Sequence, residues 1–288
     1  MVSSFMFIWS KLASAKWRDA WEERFLGPGR TNAVITEIAG RRTIRIEVYC
    51  QSEREARFIH RQFGGSVRNV AARDLAPPAQ PPAKPLRIRG RLVVVNSAEA
   101  AASPDHGNIP TLAIPAEMAF GTGDHATTST CLRFLVDAAD DLARQGREGW
   151  SMADLGSGTG ILALAGRRLG AASALGLDND PEATRAARGN ARRNRVKQAT
   201  FETADLLLWK PPHRFDVVAA NVFSTILIQA MPILRKAVAP HGHLLLSGIL
   251  KAQAEEVAAA AVRHGFAIHA RRTIGKWATL HARAARRP

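Results

Sequence analysis

The chain has 288 residues, 46% of them hydrophobic, which is room for one domain of common size plus a smaller one. Its apolar runs stop far short of the ~20 residues of a membrane helix, and the opening run Ser4 to Trp9 is short and lacks a basic flank; a soluble, cytoplasmic protein without membrane span or signal peptide is expected. Cys50 and Cys131 make neither a metal quartet nor a disulfide framework, and a net charge of +15 favours acidic partners, nucleic acid above all.

The chain begins with a short strand over Phe5 to Ile8, then a helix with Trp17, Trp21 and Phe25 on one face, ended by Gly27-Pro28-Gly29. Asn32 to Ile38 and Thr43 to Cys50 read as a β-hairpin. Glu53 to Phe63 has helical spacing, Gly64-Gly65 breaks it, and Ser66 to Val70 forms a last strand. The order βαββαβ is the split, ferredoxin-like arrangement, so residues 1–75 are expected to be a small α+β domain. Five prolines between Ala76 and Pro85 mark residues 76–86 as a semi-rigid linker, leaving 87–288 as the second domain.

That domain opens with a strand over Arg87 to Asn96 and a short one at Leu112 to Ile114. Ala119 to Thr128 then gathers hydroxyls, two glycines and a histidine directly before a helical run from Ser129 to Ala139. Thr128 is placed to cap or line the start of that helix. From Met152 to Asp180 the pattern is strand, glycine turn, helix, strand. Gly156, Gly158 and Gly160 allow a sharp bend, close approach to a ligand and a helix opening with free N–H groups. Asp178 ends the second strand 22 residues after Gly156, where an open α/β sheet sets a carboxylate against ribose hydroxyls.

Asp180-Pro181-Glu182 starts a helix that runs to Asn194. Ala199 to Thr203 is a third strand with Asp205 just beyond it, and Phe215 to Asn221 is a buried fourth strand that closes on a side-chain amide, either a turn residue or, the favoured reading, a polar group aimed into the crevice. A helix over Ser224 to Val238 leads through Pro240-His241-Gly242-His243, read as a turn, into a fifth strand at Leu244 to Gly248. A helix from Ala252 to Arg263 and an antiparallel pair, Phe266 to Arg271 with Ala278 to Ala282, complete a doubly wound, seven-stranded, Rossmann-like α/β sheet.

These residues resemble the class I S-adenosylmethionine-dependent methyltransferases, and within them the family that methylates large-subunit ribosomal protein L-eleven. The motifs that carry the resemblance are Ala119 to Thr128, Asp154 to Gly160, Gly176 to Pro181, Ala220-Asn221-Val222 and Leu246 to Leu250. The resemblance implies S-adenosylmethionine as cofactor, with contacts to it from Thr128, Gly156, Asp178 and Asn221; Gly158 in the turn and Asp205 beyond the third strand are further cofactor-binding candidates by position, and Asn221 is the catalytic candidate, its amide able to hold the incoming amine. No metal is implied. The resemblance also implies transfer to lysine or N-terminal amines of a ribosomal protein; the separate βαββαβ domain before the proline spacer is expected to recognise that protein, and the net charge of +15 to allow weak contact with ribosomal RNA. Asn221-Val222-Phe223 stands where the family has Asn-Ile-Leu, and the segment before Pro85 lacks the family's tryptophan. Gly158, Gly160 and Ala163 also satisfy a nicotinamide-binding pattern, which keeps an oxidoreductase as the alternative alongside a methyltransferase for another protein.

Overall fold

A computed structural model describes residues 5–18, 21–22, 25, 33–38, 42–50, 52–71, 85–115 and 126–285. The chain divides into two units, Met1–Pro81 and Pro82–Pro288, and the division falls inside the proline-rich stretch. Of the expected features, the Gly27-Pro28-Gly29 break, the Ala39 to Arg41 turn and the segment from Ala119 to His125 lie outside the described residues.

In the first unit, β1 (Phe5–Ser14), β2 (Ala33–Glu37), β3 (Thr43–Cys50) and β4 (Ser66–Ala71) form an antiparallel sheet in the order β2-β3-β1-β4. β1 outruns the expected strand because all of β3 pairs with it, from Cys50 opposite Phe7 to Thr43 opposite Ser14. Helix α1 (Glu53–Phe63) is capped by the Ser52 hydroxyl, which accepts from Glu55 N at 3.2 Å, and it stops at Gly64, whose φ is 66°. Its Ala56 and Ile59 bury against Trp9, Ile44, Ile46 and Val48. Trp21 and Phe25 join this core, whereas Trp17, expected on the same face, is 56% exposed. Trp17 closes a 3-10 turn, Ala15–Trp17, and the tighter winding takes its side chain out of line with the other two.

The second unit opens with β5 (Leu86–Ile88) and β6 (Leu92–Val95), an antiparallel hairpin where one strand was expected. Arg89 and Gly90 both have positive φ, 50° and 65°, and Arg91 N donates to Ile88 O at 2.9 Å, the geometry of a two-residue hairpin turn. After α2 (Ala98–Ala101), β7 (Thr111–Ala113) pairs with β6 in parallel. There follow α3 (Ala126–Arg144), β8 (Ser151–Leu155), α4 (Ile161–Arg168), β9 (Ser173–Asp178), α5 (Pro181–Arg193) and β10 (Ala199–Thr203). The chain continues through β11 (Phe215–Asn221), α6 (Ser224–Ala237), β12 (Val238–Leu250), α7 (Ala254–Arg263), β13 (Phe266–Ile274) and β14 (Trp277–Ala284).

The large sheet has the order β10-β9-β8-β11-β12-β14-β13, with β14 antiparallel to both its neighbours and the other pairings parallel. This is the seven-stranded, doubly wound sheet expected. Alternation along each strand supplies two cores: Val217 and Ala219 face the core built with α3 and α4, while Val218 and Ala220 face the core built with α6 and α7. Strand order reverses between β8 and β11, which opens a crevice at their carboxyl ends. No described helix is long and apolar enough to cross a membrane.

His243 is not the turn residue expected. The excursion from Ala239 to Gly242 sits inside β12, with exposed His241 at φ 60°, after which His243 re-enters the sheet opposite Val217 and is 1% exposed. Its Nδ1 lies 2.9 Å from Nε2 of His281, itself 3% exposed. Burial, and next the charge of Arg283, pull His243 down to about 4; burial, and next His243, pull His281 down to about 3. Unfolded histidines take up protons near pH 6.5, so between there and about 4 the unfolded state binds more protons and stability falls with falling pH. Urea titrations will show a lower midpoint at about pH 5 than at about pH 7, and a His281→Gln variant, with one fewer buried proton site, a shallower fall. Equal slopes in both proteins would show that the pair does not govern the acid limb.

Candidate functional site

The crevice is shaped by the turn from β8 into α4. Gly156 has φ 74° and faces Val222 so closely that a Cβ would strike Val222 Cγ1, and Gly160, φ 77°, begins α4 against Phe201 and Ala187. Gly156 N and Ser157 N both donate to Leu177 O, at 2.7 and 2.9 Å, and Gly160 N donates to Ser157 O at 2.7 Å. Asp178 Oδ2 accepts from Gly158 N at 2.8 Å, and its Oδ1 accepts from Asp180 N at 3.0 Å. The amides of the glycine turn itself are therefore not free, while those of Ile161 and Leu162, which open α4, have no bond among the described residues. Four of the turn's amides are already committed, three of them to carbonyls and one to a carboxylate.

What the crevice offers instead is acceptors. Asp154 is 1% exposed; its Oδ2 accepts from Ala163 N at 3.1 Å, while its Oδ1 has no hydrogen-bond partner among the described residues. Burial pushes this carboxyl well above the usual carboxylate range, against the pull of the Ala163 amide, and the nearby charge of Asp178 adds to the rise. Thr128 Oγ1, Ser157 Oγ, Asn221 Oδ1 and Ser224 Oγ are likewise buried without a partner among the described residues. Buried polar atoms are almost always paired, so this set marks a place for a polar ligand. An ammonium or other cation beside Asp154 would restore its charge, and hydroxyls would find acceptors; a pyrophosphate would meet a buried acid and the spent amides of the turn.

Gly156, Gly158, Asp178 and Asn221 are brought together: Gly158 hangs on Asp178, and Gly156 sits against Val222 with Asn221 O at 3.9 Å from its Cβ direction. Thr128 enters from the first turn of α3; it is buried and its hydroxyl does not cap the helix. Asp205 is exposed beyond β10 and holds its own turn, accepting from Leu207 N at 2.8 Å. Ser157 and Ser224 were missed as site residues. Ser157 lies within the glycine motif, and Ser224 opens α6 directly after Asn221-Val222-Phe223, so position alone would have found both. Near the C-terminus, where Arg283, Arg286 and Arg287 cluster in the sequence, Arg283 is paired with Asp141 at 2.9 Å, and residues 286–288 lie outside the described residues.

A model of the family described as Ribosomal protein L11 methyltransferase (PrmA) matches residues 30–285. The chain is 37% identical over 197 residues to a ribosomal protein L11 methyltransferase of Methylobacillus flagellatus, covering 68% of this chain and 62% of that protein. It is 43% identical over 184 residues to one of Pseudomonas aeruginosa, covering 63% and 58%. These matches thus span about three fifths of the curated relatives' length. The crystal structure of a ribosomal protein L11 methylase from Lactobacillus delbrueckii subsp. bulgaricus matches with a TM-score of 0.58 at 26% identity, over 69% of this chain and 98% of that one. With the family model running through both the glycine loop and the Asn221 strand end, the chain belongs to the ribosomal protein L11 methyltransferase family.

Proposed function

We propose that this chain transfers methyl groups from S-adenosylmethionine to amines of a ribosomal protein, large-subunit protein L11, with lysine side chains the first targets and the N-terminal amine a further one. The observation that carries this reading is the pairing of a glycine loop whose amides are spent with buried acceptors left open on Asp154 and Asn221. That combination suits an amino-acid and ribose ligand bearing positive charge. It suits a nicotinamide dinucleotide less well, because a pyrophosphate at this turn would lie beside the buried Asp154 carboxyl and find only the first amides of α4 open. Fluorescence quenching by S-adenosylhomocysteine and not by NADH separates the two.

When bound, the cofactor supplies a methyl group on a sulfonium centre, ready for an amine held in line at about 3 to 3.5 Å. The chain's own task is to orient that amine and keep it dry. Asn221 ends β11 with Oδ1 turned into a buried setting, where it can accept a hydrogen bond from the amine and aim its lone pair. Leu155, buried at the end of β8, and half-buried Val222 lower the polarity there, which favours the neutral, nucleophilic amine over the ammonium of free lysine, pKa ~10.4. Thr128, Gly156, Gly158 and Asp178 would hold the cofactor, with Asp205, exposed beyond β10, a further candidate contact.

The first unit, with its own sheet and core, recognises the protein substrate, and the net charge of +15 suits a cytoplasmic enzyme whose substrate is met beside ribosomal RNA. Incubating the pure protein with labelled S-adenosylmethionine and total ribosomal proteins, then locating the label by mass spectrometry, tests the whole reading; label on no ribosomal protein overturns it. Asn221→Ala is expected to lower kcat about 10- to 100-fold while changing cofactor Kd less than about 5-fold. Equal losses in single-turnover rate and calorimetric affinity would reduce Asn221 to a binding contact.

A further inference from the structure

We propose that the second unit carries a binding surface for single-stranded RNA where α5 ends and the chain turns into β10; the choice of partner rests on the reading above, the surface itself on the following observations. From Ala183 to Phe201 the sequence holds five arginines and a lysine and no acid. Arg188, Arg192, Arg195 and Lys197, all exposed, line an open depression of about 390 Å³ together with Ala199 and Phe201. It lies at the amino ends of the strands, away from the carboxyl ends of β8, β9 and β11 where the crevice is.

The frame of this surface is braced, and three of its four lining cations are left without a side-chain partner among the described residues. Arg167 Nε donates to Lys197 O at 2.9 Å, Arg168 Nη2 to Asn194 O at 2.7 Å, and Arg188 Nη2 to Phe201 O at 2.6 Å. The Asn194 amide exchanges bonds of 2.7 and 2.8 Å with the backbone of Ala113. Three guanidinium groups thus brace the turn, while Arg192, Arg195 and Lys197 have no side-chain hydrogen bond or ion pair among the described residues. Cations in the last turn of a helix complement its carbonyl end, and Arg192 and Arg193 suffice for that. Arg195 lies beyond the helix at φ 50°, closing it with Val196 N on Ala191 O at 2.9 Å, a position that favours glycine. A long cation kept there against the backbone's preference points to a use for the side chain.

Guanidinium forks match phosphate oxygens, and the small aliphatic lining of half-buried Val196 and Ala199 beside them gives a ribose a surface to lie on, while Phe201 beneath is buried. Among the described residues, the exposed large hydrophobic side chains lie elsewhere.

The test is fluorescence anisotropy of the full-length protein with a labelled single-stranded RNA of about 20 nucleotides across a salt series. The patch variant Arg192→Gln, Arg195→Gly, Lys197→Gln is compared with Arg214→Gln, Arg263→Gln, Arg272→Gln, which removes the same charge from exposed positions elsewhere. The patch variant is expected to bind at least about tenfold more weakly near 50 mM salt, with its log–log salt slope smaller by about 2, since each phosphate contact on a single strand contributes ~0.7. The control should change less than about threefold. Equal weakening in both variants, no binding by the unaltered protein, or displacement of RNA by a polyglutamate peptide at equal charge concentration would overturn the proposal. S-adenosylhomocysteine binding, measured alongside, should be the same in all three proteins; if all bind RNA as expected and none binds that ligand, the methyl-transfer reading fails and the surface remains.

Discussion

Replacing Asp178 with alanine is expected to weaken binding of S-adenosylmethionine about 10- to 150-fold, the equivalent of about 1.5 to 3 kcal/mol for charge-assisted hydrogen bonds from a strand-end carboxylate. Two effects combine. The ribose hydroxyls lose their acceptor, and the glycine loop loses the bond from Gly158 N that sets its path, while Asp180 N is also released at the start of α5. Asp178 is only half-buried, so water can reach those freed amides and the fold survives. Calorimetry with S-adenosylhomocysteine, on protein shown by circular dichroism to be folded, decides the matter; a folded variant with unchanged affinity would remove Asp178 from the site.

The elements that positioned the site were legible because each carried a local signal. β8 ends where its apolar run meets Gly156, and β11 ends where its apolar run ends, at Asn221. The misses are non-local or depend on unusual turn residues. Arg89-Gly90 makes a hairpin turn without the usual asparagine or aspartate, so β5 and β6 read as one strand. His243 is buried because His281, 38 residues on, meets it across the sheet, and nothing near His243 in sequence announces that partner. The glycine loop was recognised as a ligand turn, yet the fate of its amides was hidden, because Leu177 O and the Asp178 carboxylate arrive from the next strand. That hidden fact is what favours a cationic ligand over a pyrophosphate.

A chain beginning at Pro82 is expected to bind S-adenosylhomocysteine with unchanged affinity yet to methylate its protein target with a KM raised about 100-fold or more. The glycine loop, Asp154, Asp178 and Asn221 all lie in the second unit, whose cores are closed among its own residues, while the core around Trp9, Ile44, Ile46 and Phe25 belongs to the first. If the first unit grips the substrate, the amine then reaches the crevice as an effectively intramolecular event at roughly millimolar local concentration. Losing that tether forces each encounter to be won from bulk solution. The signature is a split between parameters: protein KM rises, cofactor Kd stays, and kcat at saturating substrate falls far less. A first unit that merely covered apolar surface would leave a truncated chain that aggregates, which light scattering detects and which restores on adding back no substrate affinity. A soluble truncated protein that binds cofactor and methylates at the full-length kcat/KM would assign recognition to the second unit instead.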